Sequence, residues 1–268
     1  MNKLSFKYIF LVVLIISGIF IALFLTYKPK ANTENENIVK EEKSVDLQKK
    51  DYLLGKFEPS ERKDFILIPK EYTVLESSMY LRKETLEAFL KMKDSGIVDG
   101  INLKIASATR NFDDQKNIWE KKWSGATLVE RKNLAQTTSE GIERFKKILE
   151  YSAAPGTSRH HFGTDIDINS VDPVYFETEK GQKEYGWLVT NAPEFGFCQT
   201  YNQKGSNRLN GYNEEKWHWS YVPISKQLIE EYKNLIKDED IKGFLGEEFV
   251  PQMNLINNYV LSINPDCL

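Results

Sequence analysis

The run Thr164-Asp165-Ile166-Asp167-Ile168-Asn169, entered through Ser158-Arg159-His160-His161-Phe162-Gly163, decides how this chain is read. Acidic and aliphatic residues alternate in it with a period of two, the pattern of a short β-strand. Ile166 and Ile168 then face a core, and Asp165 and Asp167 face the other way. A carboxylate leaving such a strand toward a cleft is a candidate metal ligand. His160 arrives from the turn just before, where Pro155, Gly156 and Gly163 let the chain reverse and approach an ion closely. The vicinal His161 projects in another direction and is expected to support the structure rather than bind the ion.

The chain has three histidines, and the third lies in a second short stretch, Glu215-Lys216-Trp217-His218-Trp219. A catalytic zinc site needs three nitrogen or oxygen ligands and a fourth position left open. His160, Asp167 and His218 supply that set. On a strand His218 shares a face with Ser220, while Trp217, Trp219 and Tyr221 lie opposite, two of them as core. Glu215 precedes His218 by three residues, an odd spacing that sends the two to opposite faces of a regular strand. A turn or bulge at 214–216 must swing the carboxylate back if Glu215 is to act as general base. Glu214 reads as a solvated loop charge.

Working outward, Leu103 to Ser107 alternates as a strand leading into Arg110, and a short strand is expected at Phe65 to Leu67. Helical spacing covers 81–93, with a stop at Asp94-Ser95-Gly96, and also 112–122, 138–150, 181–192 and 226–237. Further strands fall at 196–201 and 217–222. Strands and helices do not alternate as regular βαβ units, so the expected class is α+β, a small antiparallel sheet flanked by helices.

Residues Ile9 to Leu25 form an apolar run just long enough to cross a bilayer, so 1–28 reads as a membrane anchor, with a cleaved signal as the alternative. The charged, Asn-rich stretch 29–51 reads as a flexible tether. Residues 52–268, roughly 215, suffice for one well-cored domain. The net charge of −3, with both signs interspersed, excludes a basic face for nucleic acid. Cys198 and Cys267 either form a disulfide in an oxidising compartment or remain two separate thiols; sequence leaves both open.

The stretch SRHHFGTDID resembles the Ser-x-His-x-x-Gly-x-Ala-x-Asp motif, and EKWHW the Glu-x-x-His-Trp motif, of the VanY-type D-alanyl-D-alanine carboxypeptidases among the LAS metallopeptidases. SATRNFDDQ (Ser107 to Gln115) and WLVTNAPEFGF (Trp187 to Phe197) extend the resemblance over about residues 80–235. It implies a LAS/hedgehog-type fold and Zn2+ on His160, Asp167 and His218, with Glu215 as base. It also implies substrate-binding roles for Arg110, Gln115 and Ser158. A guanidinium at Arg110 suits either a terminal carboxylate or a tetrahedral oxyanion. One position departs from the family: its small Ala is Asp165 here, either a partner orienting a ligand histidine or a rival of Asp167 for the metal.

The expected activity is zinc-dependent removal of a terminal D-amino acid from peptidoglycan stem peptides, D-Ala-D-Ala foremost, by a monomer tethered outside the cytoplasm. L,D-carboxypeptidase or endopeptidase action on the same peptides needs the same catalytic groups. A zinc-containing module that binds wall peptides without cleaving them, and a metal-free structural domain, are the readings of other classes.

Overall fold

Four short strands make the sheet that carries both histidine stretches: β3 (Ile105–Ser107), β4 (Asp165–Ile168), β5 (Phe197–Gln199) and β6 (His218–Tyr221). Their order is β3-β4-β6-β5 and every pairing is antiparallel. Across β4 and β6 the register pairs Asp165 with Ser220, Ile166 with Trp219 and Asp167 with His218. Successive side chains therefore alternate as the sequence implies. Ile105, Ile166, Ile168, Phe197 and Trp219 pack in one apolar cluster with Leu86, Phe89 and Met92 of helix α1 (Lys83–Val98). The opposite face of β4 and β6 carries Asp165, Asp167, His218 and Ser220, all buried.

A second, aromatic-rich cluster reaches the polar face through Tyr201, whose ring lies 4.8 Å from that of His218. It draws Trp119 and Trp123 from α2 (Phe112–Trp123), Phe145 and Ile148 from α4 (Ile142–Ile148), and Leu228, Ile229 and Tyr232 from α6 (Val222–Leu235). A two-stranded antiparallel ribbon, β1 (Phe65–Leu67) with β2 (Tyr80–Arg82), lies beside these layers. Helix α3 (Leu134–Thr137) precedes α4; α5 (Glu179–Asn191) packs on the apolar side of the sheet, and a short α7 (Val250–Met253) lies near the C-terminus. The expected α+β class with a small antiparallel sheet is the observed one.

The structure, a computed structural model, describes residues 45–268. The expected anchor at 1–28 lies outside the described residues, as does the tether as far as 44. Among the described residues no helix is long and apolar enough to cross a membrane.

Several boundaries differ from the sequence expectation. The tether was expected to run to Asp51, yet residues 45–53 are helical. The segment is held by ion pairs from Lys49 to Glu231 and from Lys50 to Asp240, and by burial of Tyr52 and Leu53. Helix α1 runs past Gly96 to Val98. A Cβ at Gly96 would sit 3.2 Å from the Ile101 carbonyl oxygen, so this glycine admits close packing inside a helix; the chain turns at Gly100, where φ is +71°. The helix expected at 138–150 is the shorter α4, and α6 begins at Val222 because Pro223 suits a first turn. Helix α2 starts where Asn111 and Asp114 cap each other's backbone N–H groups. The two cysteines are joined, Cys198 on β5 to Cys267, with Cα atoms 5.5 Å apart.

Candidate metal centre and active-site cleft

His160, Asp167 and His218 are all buried, and one potential donor atom from each lies within 4.8 Å of the others. Asp167 and His218 meet because they are direct cross-strand partners. His160 comes from the single helical turn Arg159–Phe162, whose start Ser158 caps by accepting from the His160 N–H. That turn ends at Gly163 with φ +72°, a conformation that L side chains resist, and there the chain enters β4.

Ring orientations are set by what lies behind each histidine. His160 Nδ1 is 2.8 Å from the Ala108 carbonyl oxygen, which fixes Nδ1 as donor and turns Nε2 toward Asp167 Oδ1 at 3.4 Å. His218 Nε2 is 3.1 Å from Asp165 Oδ1, and its Nδ1 faces Asp167 Oδ1 at 3.6 Å and Glu215 Oε2 at 3.0 Å. His160 Nε2 and Asp167 Oδ1 are buried without any hydrogen-bond partner. Orphaned buried polar atoms of this kind are costly unless a ligand satisfies them. Two imidazole nitrogens and one carboxylate oxygen converge, those of His160 and Asp167 unpaired and that of His218 facing the Glu215 carboxylate, and the set fits a zinc ion with an open position.

Asp165 is not a rival for that ion. Its Oδ1 accepts from Arg159 Nε at 3.0 Å and from His218, and its Oδ2 accepts from the hydroxyls of Thr164 at 2.7 Å and Ser220 at 3.1 Å. Burial alone would raise the carboxyl pKa, but the Arg159 guanidinium and His218 overcome this and hold it well below the usual range. The family's alanine is thus replaced by a saturated anion that orients His218 from behind. Burial also disfavours the His218 cation, yet the bonds to Asp165 and Glu215 prevail and raise its pKa to about 9. Asp167, pushed up by burial and down by His160, His218 and Arg110, ends near 2.

Glu215 reaches His218 as the spacing required: the His218 N–H donates to the Glu215 carbonyl across a turn at 216–217, bringing the carboxylate back over the ring. Burial raises its pKa above the ordinary value. Arg110 Nη1 donates to Ser107 Oγ at 2.7 Å and lies 3.8 Å from Asp167 Oδ2, at the edge of the same cluster. His161 uses both nitrogens structurally, Nδ1 on the Arg110 carbonyl and Nε2 on the Gly156 N–H, so it anchors the loop carrying Arg110. Burial keeps it neutral, with a pKa of about 3.

His160, Asp167, His218, Glu215 and Arg110 line a cavity of about 240 Å³ together with Gln115, Ser158, Lys122, Tyr151, Tyr201 and Trp217. A larger groove, about 660 Å³, lies along β5 and α6, lined by Val189, Phe197 and Val222 among others; it contains none of the metal donors, so the smaller cleft is the chemical one. Sequence reading placed Trp217 with the core-side aromatics, but it precedes β6 and lines the cleft. Lys122 and Tyr201 were missed. Lys122 had a signal, since 115, 118 and 122 fall on one face of a helix.

The model of the D-alanyl-D-alanine carboxypeptidase family VanY matches residues 78–224. The chain belongs to the VanY family. Curated relatives include a Bacillus subtilis protein, YodJ, named as a carboxypeptidase (29% identity over 70% of this chain and 63% of that one). Another is an Enterococcus faecalis D-alanyl-D-alanine carboxypeptidase, 29% identical over 54% and 52%. The chain therefore spans between about half and just under two thirds of their lengths. Among solved structures it resembles a vancomycin resistance D,D-pentapeptidase VanY variant with Zn(II), at 24% identity, 66% and 94% coverage and TM-score 0.45. It also resembles the LdcB LD-carboxypeptidase, at 24% identity, 73% and 79% coverage and TM-score 0.48. The VanY match contains all three candidate ligands, Glu215, Arg110, Gln115 and Ser158.

Proposed function

We propose that this chain is a zinc-dependent carboxypeptidase that removes the terminal D-amino acid from peptidoglycan stem peptides, with D-Ala-D-Ala ends as the preferred substrate. The observation that carries the proposal is the convergence of His160, Asp167 and His218, with orphaned donor atoms on the first two and the Glu215 carboxylate beside them in a cleft. The family's named activity agrees with it. When bound, zinc would supply Lewis acidity to the scissile carbonyl and make a water easier to deprotonate near neutral pH.

The chain's own groups do the rest. Glu215 takes the proton from the attacking water and delivers it to the leaving amine; its burial-raised pKa suits a group that must accept and then release. The Arg110 guanidinium, at the metal edge of the cleft, donates to the carbonyl oxygen as it becomes an oxyanion. Gln115 spends its Nε2 on the Ala153 carbonyl and keeps Oε1 unpaired, an acceptor for a substrate N–H. Ser158 lines the same wall. The disulfide supports a site of action outside the reducing cytoplasm.

The test is mass analysis of pentapeptide and tetrapeptide stems incubated with the protein, with and without chelator. Loss of one terminal residue, abolished by chelator and restored by zinc, is the expected result. An internal cut would make it an endopeptidase, and binding without cleavage would reduce it to a recognition module.

A further inference from the structure

Helix α2 turns two faces to different tasks. Trp119 and Trp123 enter the aromatic core, while Gln115, Ile118 and Lys122 line the cleft. Lys122 is half-buried, and its ammonium donates to the hydroxyl of buried Ser152. Among the described residues no carboxylate pairs with it.

The charges of the cleft show what is missing. Asp165 is matched by Arg159 at 3.0 Å. Asp167 and Glu215 together carry two negative charges, which a divalent ion on the three donors would balance. Arg110 keeps Asp167 Oδ2 at 3.8 Å, and among the described residues Lys122 remains the cation of the cavity with no carboxylate partner. A cation drawn partly out of water without a counter-charge is a ready partner for an anion. Burial, with help from Arg110, lowers the Lys122 pKa to about 8. Arg110 lies against Asp167 and is spoken for by the reacting carbonyl, whereas Lys122, two helical turns beyond Gln115, is the free one.

We propose that Lys122 is the anchor for the free α-carboxylate of the substrate's last residue, and so the residue that makes the cleft select chain ends. The inference rests on the carboxypeptidase reading. It adds to that reading a residue outside the metal, base and arginine motifs. The Lys122 ammonium forms a charge-assisted bond with the carboxylate, held in place by Ser152, while Arg110 serves the carbonyl next to it.

The test reads binding without turnover. The zinc-loaded full chain carrying Glu215→Gln is titrated calorimetrically with an N-acylated D-Ala-D-Ala and with the same dipeptide as its C-terminal amide. The acid is expected to bind about 10- to 100-fold more tightly than the amide. Adding Lys122→Met, which keeps the stem and removes the charge, abolishes that preference, whereas Lys122→Arg retains it. Equal binding of acid and amide by the parent, no binding of the acid, or an acid preference that survives Lys122→Met would each overturn the assignment. Failure of every stem peptide to be cleaved would instead overturn the carboxypeptidase reading, since the acid preference is measured on a protein that need not turn over.

Discussion

Three carboxylates crowd one buried patch, yet each is held for a different purpose by its neighbours. Asp165 is saturated by Arg159, Thr164, Ser220 and His218; Asp167 keeps one oxygen unpaired; Glu215 is held over the His218 ring. Glu215→Gln should therefore leave zinc content unchanged while kcat on a D-Ala-D-Ala peptide falls about 10²- to 10⁴-fold, read by metal analysis beside steady-state rates. Asp165→Ala should act differently. It removes the acceptor behind His218 and weakens zinc binding about 10- to 100-fold, measurable by chelator competition. It also strands the Arg159 guanidinium in the interior, at a cost of about 3–5 kcal/mol in urea unfolding. At this scale the convergence of His160, Asp167, His218 and Glu215 was legible because histidine is scarce and the strand period is two. The role of Asp165 was not: sequence shows it on the same face as Asp167 but cannot show that Arg159, six residues earlier, folds back to it.

At the scale of elements, periodicity located helices and strands, and their ends were the weak point. Gly96 reads as a stop by composition, but the close approach of Ile101 and Trp187 makes it a packing residue inside α1. The 45–53 segment was read as tether because its first residues are charged and show no apolar stripe; only Tyr52 and Leu53 in its last turn reach the core, and distant Glu231 and Asp240 supply the rest. That attachment should be acid-sensitive. Burial alone would raise the Asp240 pKa, but the Lys50 ammonium and the Lys237 N–H outweigh it and hold the carboxyl below its ordinary 3.8. A lowered folded-state pKa contributes stability above the unfolded value, and that stability is lost as pH falls through the folded one. NMR secondary shifts of 46–53 should therefore stay helical at about pH 5 and weaken below about pH 4, and in Lys50→Ala the pH dependence should shrink. A segment whose helicity is indifferent to both changes would contradict the role given to the pair.

For the whole molecule, the sheet separates an aliphatic cluster from the polar face, and the disulfide ties β5 to the segment around Cys267 across 69 residues. Replacing both cysteines by serine should lower unfolding free energy by about 2–4 kcal/mol, and reductant should do the same to the parent but not to the variant. Sequence left this pairing open because it turns on a Cα separation that only the fold defines. The register of β4 against β6 has a further consequence. Asp167 meets His218 in the same register that places Ile166 against Trp219, so slipping β4 by one residue would turn Asp167 into the apolar layer and bring isoleucine to the ion, and slipping β6 would do the same with His218 and tryptophan. A mispaired sheet would lose one of the three ligands. Metal capture thus doubles as proofreading: the ion rewards only the chain that has already paired its strands correctly, and withdraws that support from every near miss.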